Sequence, residues 1–183
     1  MSFSFPKAEP KQPGYVPEQV DDFIAKARDQ FANPAAELVT SDQVRNTEFD
    51  LVHGGYLIGA VDSAMDRLED TFAQREIAHQ LETKGQYAVQ DRLSRIQEIL
   101  RGRVERPKRR KFSSTGYLLR GYDRKQVDAL CESLARHLDS DTPLDLLSVR
   151  RFIFKAKRGG YVEAQVDAFI DRIVEVLQIE KQL

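Results

Sequence analysis

Apolar residues in this chain recur with a helical period, and they do so four times from the same opening frame. Each stretch begins Gly-Tyr, runs four residues and reaches Val-Asp: Gly14, Tyr15, Val20, Asp21; Gly55, Tyr56, Val61, Asp62; Gly121, Tyr122, Val127, Asp128; and Gly160, Tyr161, Val166, Asp167. Counted from the valine, apolar side chains return at the third, fourth, seventh and eleventh positions. The first copy reads Val20, Phe23, Ile24, Ala27, Phe31 and the second Val61, Ala64, Met65, Leu68, Phe72. The third reads Val127, Leu130, Cys131, Leu134, Leu138 and the fourth Val166, Phe169, Ile170, Ile173, Leu177. Such spacing lays one stripe along an α-helix, whereas a strand would alternate.

The spacer predicts where each helix starts. Pro17 suits the first helical position, because its locked backbone angle is already helical. Asp123 with Gln126 resembles a capping box. Gln precedes the valine in three copies, as Gln19, Gln126 and Gln165. The glycine fits a turn with a positive backbone angle, and the tyrosine is expected to fold back over the first turn of its own helix.

A second layer of repetition precedes two copies. VRNTEFDLVHGGY at 44–56 aligns without gaps to VRRFIFKAKRGGY at 149–161. Both predict short helices ending near the Phe, with Thr40 and Thr142 as N-caps and Pro143 as a first helical residue. Copies one and three share instead a Phe nine residues before the Gly, Phe5 and Phe112. The order is therefore A-B-A′-B′, a tandem duplication of a two-motif half. Between the halves, the second helix is expected to run through Phe72 and Ile77 to about Leu81, with Gly85 either interrupting or weakening it. A further amphipathic run (Val89, Leu93, Ile96, Leu100) follows and stops at Pro107.

The expected fold class is all-α: turn-plus-amphipathic-helix units in tandem, forming a compact helical bundle with a longer central helix. The expected segments are 1–75, a helical and basic connector at 76–111, and 112–183. A lone amphipathic helix of this length is marginal in water. The four stripes should therefore shelter one another, with the second motif packing near the fourth as an internal pseudo-dimer.

Composition sharpens this reading. Hydrophobic residues make up 41% of the 183 and charged residues 31%, with no Trp and one cysteine, Cys131. The amino-terminal stretch MSFSFPKAEPKQPGY does not read as a signal peptide, and the lone cysteine fits a reducing cytoplasm. Net charge is −1, but residues 1–72 carry 6 basic and 13 acidic side chains, and residues 73–111 carry 11 and 5. Attraction to polyanions should thus concentrate near the middle. There the run RGRVERPKRRK, 101–111, could be a solvated linker, a lipid-headgroup contact or a holder of nucleic-acid phosphate. The candidate membrane or anion contacts are Arg106, Lys108, Arg109, Arg110, Lys111, Leu118, Leu119 and Arg120.

No constellation for chemistry emerges. The four motif aspartates occupy equivalent positions, which points to one shared structural contact, with loop bases such as Arg120 or Arg158 as expected partners; acid–base work needs two unlike environments. His53, His79 and His137 share no helical face. No metal-ligand spacing, phosphate-cradling Gly-rich loop or nucleophile with its base is present. The expectation is a non-enzyme without cofactor or metal.

The stretch LRGYDRKQVDAL, with the Phe-bearing segments upstream of each Gly-Gly-Tyr, resembles the N-terminal domain of DivIVA proteins. The fourfold array resembles the DivIVA-domain repeat proteins of high-GC Gram-positive bacteria, over roughly 1–32, 41–80, 112–139 and 143–183. The resemblance implies helical, self-associating scaffolds of division sites and cell poles, whose stripe is buried by a parallel coiled coil. It also implies lipid binding through a loop just before the Gly-Tyr, using an exposed aromatic followed by Arg. Here the corresponding pairs are Gln12-Pro13, His53-Gly54, Leu119-Arg120 and Arg158-Gly159, so only the third keeps an apolar–basic pair. The expected function is a scaffold with protein partners, itself included, linked to division or polar growth. It would lie in the cytoplasm or at the inner face of the membrane. The alternative is a peripheral binder of anionic membrane or nucleic acid through 101–120. No small-molecule substrate is expected, and nucleic acid is the less favoured partner.

Overall fold

The computed structural model describes residues 4–33, 39–140 and 142–183. The chain is mostly helical. In order it forms β1 (Pro13–Tyr15), α1 (Pro17–Ala32), α2 (Ser41–Arg45), β2 (Leu51–His53) and α3 (Ile58–Val104). Then come β3 (Arg120–Tyr122), α4 (Arg124–Ser140), α5 (Leu146–Arg150), β4 (Ala156–Arg158) and α6 (Glu163–Glu180). It divides into two compact units, 1–76 and 77–183. The stretch expected as a separate connector therefore falls almost wholly within the second unit, because its apolar stripe has a core to join there.

Purely helical architecture was the expectation, yet each unit contains a small antiparallel ribbon. In the first, β1 pairs with β2 in the register Pro13↔His53, Gly14↔Val52, Tyr15↔Leu51. In the second, β3 pairs with β4 as Arg120↔Arg158, Gly121↔Lys157, Tyr122↔Ala156. These strands are three residues long, too short for alternation to show in the sequence. Each ribbon brings the two Gly-Tyr dipeptides of its unit side by side. Tyr15 and Tyr56 exchange backbone hydrogen bonds at 2.9 and 2.8 Å, and Tyr122 and Tyr161 at 3.0 and 2.9 Å.

That close approach is why the motif begins with glycine. A Cβ on Gly14 would stand 2.5 Å from the Tyr56 carbonyl oxygen, and one on Gly160 would stand 2.5 Å from the Gly121 carbonyl carbon. Left-handed angles belong instead to the neighbouring Gly54 and Gly159, at φ 69° and 63°. The requirement at the motif is space, not the positive angle expected from the sequence.

The helices follow the stripes. Val20, Val61, Val127 and Val166 are all 0% exposed. Pro17 opens α1 as expected. Thr40 caps α2 in a full capping box with Gln43. Thr142 does not cap α5; Asp145 does, its carboxylate accepting the Ser148 N–H at 2.8 Å. Asp123 accepts the Lys125 N–H at 3.0 Å, but no capping box closes, because Gln126 turns outward to accept the Lys155 N–H at 2.7 Å.

Among the described residues the first unit has two small apolar clusters, one around Phe5, Val20, Tyr56 and Val61, the other around Ala27, Val39, Val44 and Phe72. Arg45 pairs with Glu69 at 2.7 Å beside the latter, both largely buried. The second unit has one continuous core that also takes in Val89, Ile96 and Leu100 of α3. Gly85, at φ 81° and ψ 164°, breaks α3. The chain then turns sharply enough for Arg92 to reach back to Gln80 at 2.8 Å. The stretch after Gly85 lies along α6, tied by Arg92–Glu175 and Gln97–Glu180. Between those ties α6 offers Val176 and Ile179, both buried. The residues at the matching places after the second motif are Thr71 and Gln74, so that face of the first unit needs no apolar cover.

Candidate functional site

The motif tyrosines do not fold onto their own helices. Each crosses to the aspartate of the other motif in its unit. Tyr56 Oη donates to Asp21, 3.1 Å from Oδ2, and Tyr15 hydrogen-bonds Asp62. In the second unit Tyr161 Oη donates to Asp128 Oδ1 at 2.9 Å, and Tyr122 hydrogen-bonds Asp167. The expected pairing of these acids with Arg120 or Arg158 is replaced by this reciprocal clasp. The four aspartates do one structural job, as their equivalence suggested, and the partner of each motif sits in the same unit.

Asp128 carries most. Buried to 6% exposure, it also accepts the Arg109 N–H through Oδ2 at 2.7 Å, while Tyr161 Oη accepts the Lys111 N–H at 3.1 Å. Together these bonds fasten the segment after α3 onto the second unit. The basic run 101–111 is thus the end of α3 followed by an exposed turn that is fastened at Arg109 and Lys111. Lys111, expected as an anion contact, is 5% exposed, and its ammonium donates to the carbonyls of Val104 and Arg106. A cation there complements the negative end of α3. Lys108 pairs with Glu132 at 2.7 Å, and Arg106 leans on the Lys111 carbonyl at 3.4 Å. Arg109 and Arg110 remain outward and exposed.

The other half of the expected contact surface is more accessible than sequence spacing implied. Leu118 and Leu119 are 86% and 65% exposed, and Tyr117, which spacing passed over, is 85% exposed. Gly116, at φ 82°, lets the chain turn into this loop. Thr115 Oγ1 donates to the Leu119 carbonyl at 3.1 Å, and the Gly159 N–H donates to the same carbonyl at 3.0 Å, so the loop base is held while its tip projects. Arg120 stands opposite Arg158 across the ribbon, both exposed. The signal available in sequence was the unbroken run Tyr-Leu-Leu between Gly116 and Arg120, three large apolar residues where a buried stripe would leave a polar gap. The corresponding loop of the first unit, Glu9 to Pro13, is polar.

Beside this loop an open recess of about 240 Å³ is lined by Arg109, Asp123, Arg124, Lys125, Lys157, Arg158, Gly159 and Gly160. Lys157 reaches Asp123 at 3.3 Å, and the Lys125 N–H, foremost, with Lys157 holds the Asp123 carboxyl below its ordinary range. Elsewhere the Cys131 thiol is wholly buried, and burial pushes it up to about 12, so it offers no ready nucleophile. Among the described residues no group of three or more His, Cys, Asp or Glu side chains could hold a metal ion, and no helix is long and apolar enough to cross a membrane.

No family model, curated protein or solved structure matches this chain.

Proposed function

We propose that this chain is a non-catalytic interaction protein of the DivIVA-repeat type, linked to cell division or polar growth, that attaches peripherally to anionic membrane through residues 117–120. On this reading a turn-and-helix module is repeated in tandem, and two copies clasp to make each unit. The units are rigid supports for partner surfaces, and the loop is the point of attachment.

The observation that carries the attachment is the projecting Tyr117-Leu118-Leu119 tip beside Arg120 and Arg158. Single exposed apolar residues need no explanation, whereas three contiguous ones rimmed by cations do. A tyrosine, with its apolar body and polar end, suits a headgroup boundary. Each nearby cation contributes roughly 1 kcal/mol on an anionic surface. Of the basic run, Arg109 and Arg110 can add to this, while Lys111 cannot. Flotation with vesicles tests the reading. The natural chain should rise with anionic vesicles at low salt and far less with zwitterionic ones, and Leu118→Asp should abolish flotation at unchanged melting temperature. Undiminished flotation of Leu118→Asp would remove the loop from the account and leave only the scaffold reading.

A further inference from the structure

We infer that the recess beside the docking loop is a binding site for a phosphate monoester. Five cationic residues line it, against one carboxylate. Arg124 is fully committed: it donates to the carbonyls of Gly159 at 2.8 Å and Arg109 at 3.1 Å, and to Ser114 Oγ at 2.5 Å. Both Asp123 oxygens are engaged, by the Lys125 N–H and the Lys157 ammonium. Among the described residues the side chains of Arg109, Lys125 and Arg158 have no hydrogen-bond or ion-pair partner. Three cations without a bonded partner and a shared fourth thus line one open recess whose single carboxylate is already engaged.

The first unit builds the same local fold without these charges. Where the second unit has Arg124, Lys125, Lys157 and Arg158, the corresponding places of the first unit hold Pro17, Glu18, Val52 and His53. The same ribbon and helix start form without any lysine or arginine there. Arg109 adds a second sign: among the described residues it is the non-glycine residue with a left-handed angle, φ 62°, a conformation that costs energy and collects at functional sites. Its N–H holds Asp128 and its carbonyl holds Arg124, so the turn fixes its backbone beside the recess.

The charge and geometry select the ligand. A carboxylate brings one negative charge, whereas a phosphate monoester brings nearly two and three acceptor oxygens. Guanidinium forks at Arg109 and Arg158 match such oxygens in pairs, and the lysines supply point charges. The ester could be free in solution or the headgroup of phosphatidic acid; the chemistry at the recess is the same.

The test uses the whole chain and glycerol 3-phosphate, with sodium chloride at equal ionic strength as control. The ester should raise the melting temperature in a saturable way and chloride should not. Lys125→Glu with Arg158→His copies the first unit's residues, so it should fold, and it should weaken the ester by at least about tenfold. Arg109→Gly should weaken it too while raising stability by relieving the backbone angle, which separates lost binding from lost fold. Leu118→Asp should still bind the ester, so failure of the membrane loop leaves this site readable even though Arg109 and Arg158 would serve both. Vesicles with phosphatidic acid against phosphatidylglycerol then identify the source: a clear preference for the former assigns the lipid, and equal flotation alongside saturable binding of the soluble ester assigns the free compound. A melting shift reproduced by chloride, or one kept by both variants, would overturn the inference.

Discussion

Tyr161 donates its hydroxyl to the Asp128 carboxylate at 2.9 Å, with both side chains buried, although they belong to different copies of the motif. The same hydroxyl accepts the Lys111 N–H at 3.1 Å. The counterpart in the first unit, Tyr56 with Asp21, joins a buried tyrosine to an exposed acid at 3.1–3.2 Å. Removing a hydroxyl costs most where the abandoned partners cannot turn to water. Tyr161→Phe should therefore cost about 2–3 kcal/mol and Tyr56→Phe about 1 kcal/mol or less in urea unfolding. Equal costs would mean that burial does not set the value of the clasp.

The tyrosines also make stability depend on alkaline pH. Burial, with the Asp128 carboxylate adding to it, pushes Tyr161 up to about 12. Burial, with the charge of Asp167, pushes Tyr122 up to about 12 as well. In the unfolded chain both titrate near 10, so unfolding releases protons once the pH passes that value. Their contribution is complete below about pH 10 and is lost as pH rises towards 12. Melting temperature should hold from pH 8 to 9.5 and then fall steeply. Tyr122→Phe should flatten part of that fall, which a pH series of thermal melts would read directly.

What the sequence made legible, and what it hid, follows from the range of each signal. The stripe is local, and all four motif valines lie in the core as their spacing predicted. The clasp is not local. Periodicity gives the face of a helix that must be covered but not the residue that covers it, so Tyr161 could be read as covering its own helix although it reaches Asp128. The ribbons escaped notice because three residues are too few to alternate. Lys111 looked like one more member of a charge run; its burial depends on the turn after Val104, which no pattern within 101–111 specifies. The exposed loop before β3 was half visible: Leu118, Leu119 and Arg120 came from their place before Gly121, whereas Tyr117 needed the projection of the tip.

Glycine substitutions should separate the two meanings of glycine in this chain. A methyl at Gly14 or Gly121 would collide with the backbone of the opposite motif, which cannot yield without parting the ribbon. Gly14→Ala and Gly121→Ala should each cost more than about 2 kcal/mol. Gly102 lies inside α3 with nothing within 4 Å of an added Cβ. Gly102→Ala should therefore stabilise by about 0.5–1 kcal/mol. Thermal or urea unfolding of the three variants would show the opposite signs, and a harmless Gly121→Ala would contradict the close approach at the ribbon.

The missing fourth glutamine has a physical reason that can be checked. Gln19 accepts the Asp50 N–H and Gln126 the Lys155 N–H, at 2.8 and 2.7 Å, each from the strand entry of the other motif. Gln165 accepts the Ser113 N–H at 2.9 Å in the same manner. The second copy has Ala60 instead, and the residue it would face is Pro6, which has no N–H to give. The equivalence of Pro6 and Ser113 is independent of the side chain: their carbonyls accept from Leu57 and Val162, each at the start of its helix. Gln165→Ala should thus cost about 1 kcal/mol, whereas Ala60→Gln should change stability by less than about 0.5 kcal/mol. Pro6→Ser combined with Ala60→Gln should recover a favourable coupling of roughly 0.5–1 kcal/mol in a double-mutant cycle. A coupling of zero would show that the glutamine serves something other than the opposing backbone.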